Sequence, residues 1–354
     1  MANFTASNLV SAQAKIAARF QEPELRRKQN PALVLALKNL SATIPSHNEL
    51  RTREDRAVNA MLFKRRASSG GTARAARPSG TKGDSLAVGL TWQTLSETFT
   101  ISMKQAGNNV FSYQEMLANE MMQAVQNLHD RLGTTSLSYL VAHRNALPIS
   151  GPVGAAYNAT THAYEIASVD SKYYFQKLTN IMRQANYRGL LDIIVDPAAF
   201  SFAQQLRAQG SQNATNTAFQ FDQIGSIIET TEVISASYTA GVSLAMPEGT
   251  FALLPWIPKQ NREGHGDYDS YNGGYGVLAD PLGTTIQTLD AVGNPVNVPL
   301  DFAVYAYTQA SDDSANNGFT QDQVTTFELS IDIAPTLAPL SGSNEFVVNM
   351  FGQL

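Results

Sequence analysis

The sequence predicts an α+β chain in which a long helix and an extended hairpin stand beside an α+β body. Three observations predict it. Residues 111–147 keep one apolar face at helical spacing beneath a capping signature. Residues 86–103 and 327–334 alternate apolar and polar with a period of two, the mark of half-buried strands. Through residues 151–319, strand-like and helix-like segments succeed one another.

Residues 1–50 read as an N-terminal arm. Asn30 followed by Pro31 sets a helix start, and Leu33, Leu37 and Leu40 follow at helical spacing. A weaker stripe joins Leu9, Ile16 and Phe20. Both pieces are too short to be stable without a second layer. Residues 51–110 read as an extended hairpin loop. Its first part, RTREDRAVNAMLFKRRASSGGTARAARPSGTKGD, is basic, rich in Gly and Ser, and poor in apolar residues after Phe63. Leu86, Val88, Leu90 and Trp92, then Phe99, Ile101 and Met103, alternate as its strands.

Residues 111–150 hold the long helix. Ser112 and Glu115 make an S-x-x-E capping box, and Phe111 and Met116 occupy the hydrophobic-staple positions. Tyr113, Leu117, Met121, Ala124, Leu128 and Leu132 run down one face. Gly133 costs about 1 kcal/mol inside a helix, so a bend or restart is expected there. The stripe resumes at Leu137, Leu140, Val141 and Leu147, and Pro148 stops it.

Residues 151–319 read as a separate α+β body. Lys172 to Arg188 is helical, with Tyr174, Leu178, Ile181 and Ala185 inward and Gly189 as the stop. Leu190 to Val195 is a buried strand, after which Asp196 and Pro197 open a short helix ending by Gly210. Strands are expected around Ile234–Leu244, Phe251–Ile257 and Phe302–Tyr307, with a polar aromatic loop at residues 260–275. Residues 320–354 return as strands, with Phe327, Leu329, Ile331 and Ile333 opposite Glu328, Ser330 and Asp332.

Composition removes whole classes of function. No cysteine is present among the 354 residues, which excludes thiolate zinc sites, iron–sulfur clusters, cysteine nucleophiles and disulfides. The first twenty residues, MANFTASNLVSAQAKIAARF, lack the basic flank and apolar core of a signal peptide. The longest all-apolar run, Ala32 to Leu37, is too short to span a bilayer, so no membrane partner is expected. Only 16% of residues are charged, below the roughly 25% of ordinary soluble domains. Much of the surface is therefore neutral polar or covered, and copies of the chain itself are one such cover.

Familiar site signatures fail on context. GYGVLA (274–279) fits a dinucleotide pattern, but no expected strand precedes it and Asp280-Pro281 breaks any following helix. It reads as loop. SGTKGD (79–84) lacks phosphate-loop spacing, and GVSLA (241–245) lacks the second Gly of a nucleophile elbow. Histidines stand at 47, 129, 143, 162 and 265; only His265 has local company, in Glu263, Asp267 and Asp269, and a solvated loop explains that cluster. DYDSYN (267–272) carries Asn272 where a calcium loop needs Gly. No catalytic, cofactor-binding or metal residue is assigned, no cofactor is called for, and the chain reads as a non-enzyme.

One concentrated chemistry remains. Residues 1–82 carry 15 Lys and Arg against 5 Asp and Glu, whereas the rest carries 10 against 25. Arg51, Arg53, Arg56, Lys64, Arg65, Arg66, Arg74, Arg77 and Lys82 form the basic run. It fits an inter-subunit contact in which the basic hairpin of one copy lies on the acidic body of the next. Nucleic acid is the alternative partner of residues 50–82. No aromatic stands between Phe63 and Trp92 to stack on single-stranded bases, which weakens that alternative.

The order of these parts resembles the major capsid protein of tailed double-stranded DNA bacteriophages, the Hong Kong phage capsid fold. FSYQEMLANEMMQAVQNLHDRL (111–132) is similar to its spine helix, and LLDIIVDPAAFSFAQQLRAQG (190–210) to the strand–Asp-Pro–helix piece of its axial domain. The resemblance implies an N-terminal arm (1–50), an extended hairpin loop (51–110), a spine helix of a peripheral domain (111–150), an axial domain (151–319) and return strands of the peripheral domain (320–354). It further implies self-assembly into hexamers and pentamers of an icosahedral head, in the virion, after assembly in the host cytoplasm. Packaged double-stranded DNA would lie on the inner surface, with separate scaffolding, portal and decoration proteins as further partners. The scaffolding segment that many members carry at their N-terminus is not expected here. Some members form a Lys–Asn isopeptide crosslink; Lys64 and Lys82 are candidates by type alone, and no motif assigns either. An encapsulin-like compartment shares the implied fold and is the nearest alternative.

Overall fold

In the computed structural model, placement is described for residues 30–63, 85–102, 113–149, 154–185, 187, 189–212, 224–263, 273–289, 294–312, 321–338 and 348–354. Helices α1 (Pro31–Lys38), α2 (Leu40–Thr43) and α3 (His47–Thr52) come first, then strands β1 (Asn59–Phe63), β2 (Ser85–Gly89) and β3 (Gln93–Ser102). The long helix α4 (Tyr113–Ala142) leads to β4 (Ala156–Asn158), β5 (Ala163–Ile166), α5 (Tyr174–Gln184) and β6 (Leu191–Val195). Helix α6 (Pro197–Gln212), β7 (Ile224–Glu229), β8 (Val242–Pro247), β9 (Phe251–Trp256) and α7 (Lys259–Glu263) follow. The chain ends with β10 (Gly273–Ala279), β11 (Thr285–Leu289), β12 (Pro295–Pro299), β13 (Asp301–Asp312), β14 (Gln321–Leu337) and β15 (Asn349–Gln353).

The expected stripe of residues 30–50 is present, but this part of the arm belongs to the core. Leu33, Leu35, Leu37, Leu40 and Ile44 are all buried, with α1 packed on α4, β9 and β11. Asn30 does not cap α1. Its Nδ2 instead donates to the His129 carbonyl across 3.0 Å, tying the start of α1 to the middle of α4.

That tie explains why α4 runs unbroken through Gly133, against the expected bend. A Cβ at this position would overlap the Asn30 side chain, so the glycine's cost to the helix is offset by the close approach it permits. The predicted face is inward: Leu117, Met121, Ala124, Leu128, Leu132, Leu137 and Leu140 are buried. Helix α4 ends at Ala142, and Leu147 is exposed rather than part of the stripe. The capping box and staple lean on Phe111 and Ser112, which lie outside the described residues.

Among the described residues, four sheets organise the strands. A five-stranded sheet runs β10-β13-β14-β3, and β9 takes over from β13 along the second half of the 17-residue β14. Its inner face, Phe302, Val304, Phe327, Leu329, Ile331, Leu95 and Ile101, is buried, and α4 packs against β3 and β14. A six-stranded sheet runs β4-β5-β15-β8-β6-β7 and carries a second core with α5 around Tyr174, Phe175, Leu178 and Ile193. Two-stranded ribbons pair β1 with β2 and β11 with β12.

Several expectations on strands need correction. The hairpin is β1 with β2, one arm on each side of residues 64–84; β3 leaves it and pairs with β14 instead. GYGVLA is not loop but the body of β10, paired through Gly274↔Ala306 to Ala279↔Asp301. Residues 234–241 are turns, and the strand begins only at Val242. Helix α5 stops at Gln184, short of Arg188, and α6 continues past Gly210 to Gln212. Asp196 does cap α6, its Oδ1 accepting from the Ala199 amide at 2.7 Å. Strand pairing also joins segments on either side of residue 319: β10 and β13 sit in the sheet of β14, and the terminal β15 sits in the six-stranded sheet.

Candidate inter-subunit interface

The β1–β2 hairpin has two unlike faces. Ala60 opposes Val88 and Leu62 opposes Leu86 on the face turned into the chain's own core. Met61 opposes Ala87 on the other face, where Met61 is 59% exposed; Val58, just before the strand, is 76% exposed. A two-stranded ribbon is marginal in water by itself. Here one face is covered and the other presents apolar surface outward.

The root of the hairpin, residues 53–58, is held from several sides. Trp92 Nε1 donates to the Ala57 carbonyl at 2.7 Å, and Trp256 Nε1 donates to the Arg53 carbonyl at 3.1 Å. Arg262 Nη2 donates to that same Arg53 oxygen at 2.5 Å. The two indoles meet edge to face, 6.5 Å between centroids. Arg56 lies over the Trp256 ring at 5.7 Å, bonds Thr94 Oγ1 at 3.1 Å, and pairs with the buried Asp332 carboxylate at 3.0 Å. Lys259 reaches Glu54 at 3.3 Å. Three strands (β3, β9, β14) and helix α7 thus converge on six residues of backbone.

Of the nine basic candidates, three fall among the described residues. Arg56 is engaged with Asp332 of its own chain, and Arg53 lies 3.6 Å from Glu49 one helical turn away. Arg51 is part-buried near Asp301. Burial pushes its guanidinium pKa down, with Asp301 opposing and Arg262 assisting; burial likewise raises the Asp301 carboxyl, with Arg51 opposing. The structure therefore places these three at or next to the hairpin root, which Arg56 anchors through its side chain and Arg53 through its carbonyl. Lys64, Arg65, Arg66, Arg74, Arg77 and Lys82 lie outside the described residues, as do His265, Asp267 and Asp269.

Sequence reasoning missed the partners of this root: Trp92, Trp256, Thr94, Asp332, Lys259 and Arg262. One signal was available. The chain has only two tryptophans, and each closes an apolar strand pattern, Trp92 after Leu86–Leu90 and Trp256 after Phe251–Leu254. Among the described residues, no three His, Asp or Glu side chains stand close enough to hold a metal ion, and no helix is long and apolar enough to cross a membrane. His129 serves a structural contact instead, its Nε2 lying 3.0 Å from the buried Asp280 carboxylate.

No protein-family model matches the chain, and no curated protein does. Solved structures do. The chain of the cyanophage A-1(L) capsid asymmetric unit is similar over 93% of this chain and 94% of its own, at 11% identity and a TM-score of 0.51. The cyanophage Pam1 capsid asymmetric unit (11% identity, 94% of both chains, TM-score 0.47) and a structure from Mycobacterium phage Che8 (12% identity, 93% of both chains, TM-score 0.47) also align. The likeness to the A-1(L) capsid chain carries the fold: this chain has the phage capsid fold that the order of its parts implies.

Proposed function

We propose that this chain, which has the fold of a phage capsid protein, is the major shell protein of a tailed phage head and acts by assembling with copies of itself rather than by catalysis. The observation that carries the proposal is the hairpin. Its root is locked to the body at several points, while its outer face exposes Met61, Val58 is exposed at its base, and its two arms flank the basic residues 64–84. A rigidly based, apolar and basic projection suits docking on the acidic surface of a second copy. Contacts of this head-to-tail kind close into rings, here hexamers and pentamers, when the rotation closes. The helix α4 with the five-stranded sheet forms the peripheral part, and the six-stranded sheet with α5 and α6 forms the axial part. Double-stranded DNA is the content of the finished shell.

The test is assembly of the full chain, read by negative-stain electron microscopy and light scattering. Wild type is expected as closed shells or as free hexamers and pentamers. Met61→Asp and the double reversal Arg65→Glu/Arg66→Glu are expected to stay folded but to remain subunits. Met61 is more than half exposed, so the stability change is limited to about 1 kcal/mol, the span of strand propensity. Normal shells from both variants would sink the docking role of the hairpin. A wild-type chain that stays a monomer would sink the shell reading itself.

A further inference from the structure

The outer face of the five-stranded sheet carries one arginine site that is filled and a second arrangement that repeats it. In the filled site, Asp332 on β14 lies directly across from Thr94 on β3 and Trp256 on β9. Arg56 occupies it. Its guanidinium pairs with the Asp332 carboxylate at 3.0 Å, donates to Thr94 Oγ1 at 3.1 Å and stands over the Trp256 ring at 5.7 Å. Four residues back along β14, Glu328 lies directly across from Thr98 on β3 and Tyr305 on β13. Residues four apart on a strand share a face, so carboxylate, threonine and aromatic ring recur in the same order, about 13 Å away at about 3.3 Å per residue. Tyr275, across from Tyr305 on β10, extends the aromatic side, with 4.9 Å between the two ring centroids. The two arrangements differ in their cation. The Asp332 side chain is 4% exposed beneath Arg56. Glu328 and Tyr305 are only half-buried, Thr98 is exposed, and among the described residues no cation pairs with Glu328.

We infer that Glu328, Thr98 and Tyr305 form a docking site for an arginine side chain from residues 64–84 of a second copy. The inference rests on the shell reading above and names the surface on which the basic segment of the hairpin lands. Arginine is selected by chemistry: a planar guanidinium stacks on an aromatic ring while its edge donates to a carboxylate and a hydroxyl, as Arg56 does, and a compact ammonium has no such edge. The segment is selected by elimination. Among the described residues, Arg53, Arg56 and Arg131 pair with carboxylates of their own chain, Arg144 and Arg262 donate to backbone carbonyls, and Arg51 lies near Asp301. Of the undescribed stretches, residues 64–84 hold the most arginines: Arg65, Arg66, Arg74 and Arg77. The first site takes its arginine from the root of the chain's own hairpin. Filling the second from the far end of another copy's hairpin fixes the register between identical subunits.

The test is assembly of the full chain, followed by light scattering, with circular dichroism to show that each variant is folded. Glu328→Gln keeps the shape and removes the charge; it should weaken each contact about fivefold and slow assembly. Glu232→Gln, a like change of charge elsewhere on the body, should leave the rate unchanged. Glu328→Arg should block assembly, as should reversal of the arginine that the site receives. Mixing Glu328→Arg with Arg65→Glu, Arg66→Glu, Arg74→Glu or Arg77→Glu should restore assembly for at least one of the four, because each chain then supplies the partner that the other lacks. Wild-type rates from both Glu328 variants, or no rescue in any mixture, would overturn the site. Rescue only when both changes lie in one chain would place the contact within the subunit and overturn the second copy as its source. A wild type that never assembles would overturn the shell reading, and this inference with it.

Discussion

Arg56 and Asp332 allow the role of the hairpin root to be measured. The Asp332 side chain is 4% exposed and that of Arg56 42%, with 3.0 Å between them. Breaking a fully buried pair costs roughly 3–5 kcal/mol, and an exposed pair contributes about 0–1 kcal/mol. This pair is buried on one side only, so Arg56→Ala should cost about 2 kcal/mol. Loss of the guanidinium from the Trp256 ring adds about 0.5–1 kcal/mol. Asp332→Asn should cost less, about 1 kcal/mol, because the amide oxygen still accepts from Thr94 and the freed Arg56 reaches water.

The two tryptophans of the chain both sit at this root, so fluorescence reports on it selectively, whereas far-UV circular dichroism reports on the whole molecule. In urea, Arg56→Ala should bring the fluorescence transition to lower denaturant than the dichroism transition. A double-mutant cycle with Asp332→Asn should give a coupling of about 1 kcal/mol, above the roughly 0.3–0.5 kcal/mol scatter of independent sites. Coincident transitions together with a coupling indistinguishable from zero would refute the reasoning. The pair would then be an idle contact and the root would be held by its backbone bonds alone.

Gly133→Ala should destabilise the subunit although it replaces a poor helix former, because the new methyl overlaps Asn30 and breaks its bond to the His129 carbonyl. Adding Asn30→Gly should recover stability in thermal melts, and a Gly133→Ala variant more stable than wild type would contradict the packing argument. His47 is buried, its Nδ1 2.9 Å from the Ile44 carbonyl and its Nε2 3.1 Å from Thr288 Oγ1. Burial lowers its pKa below 6.5, Arg51 lowers it further, and the Ile44 carbonyl opposes both. The unfolded chain then binds this proton first, so the contribution of His47 is full above about pH 6.5 and declines as the pH falls below it. His47→Gln should flatten the dependence of the urea midpoint between pH 7.5 and 5.5; an unchanged slope in the variant would place the titration elsewhere.

How much of this was legible from the sequence depends on how far apart the interacting residues stand. Helix α4 was legible because its stripe is local: a period of 3.6 needs no knowledge of what covers it. Its continuity through Gly133 was not, since the reason is Asn30, about a hundred residues earlier. Strand β14 was legible by strict alternation at 327–333, yet alternation says nothing of partners. The pairing of Phe327 with Phe99 and Ala306 is a property of three separate segments. β10 was misread because glycines at 273, 274 and 276 weaken strand propensity. What holds it is pairing with β13 and the buried Asn261 amide, which donates to the carbonyls of Gly276 and Val304 at 3.0 and 2.9 Å. The candidate site divides the same way. A run of basic residues is visible in sequence; the anchoring of Arg56 on Asp332, 276 positions away, is not.

The charge pattern also becomes more specific once the pairs are known. Lys38, Arg53, Arg56, Arg131, Lys177 and Lys259 each lie within 4 Å of a carboxylate of their own chain. Each of these cations has a match at home. Residues 64–84 contain six Lys and Arg against the single Asp84, so the sequence offers them almost no local match. An excess of this size on a hairpin whose root is fixed has its natural complement in the acidic excess of residues 83–354. In the proposed docking, a second copy satisfies both excesses together. Raising the salt concentration should therefore slow assembly while leaving the fold of the subunit unchanged, because exposed charges across an interface are screened within about 8 Å at physiological ionic strength and the apolar core is not. Assembly rates by light scattering that ignore salt would shift the driving force from charge to the exposed apolar side chains Met61 and Val58.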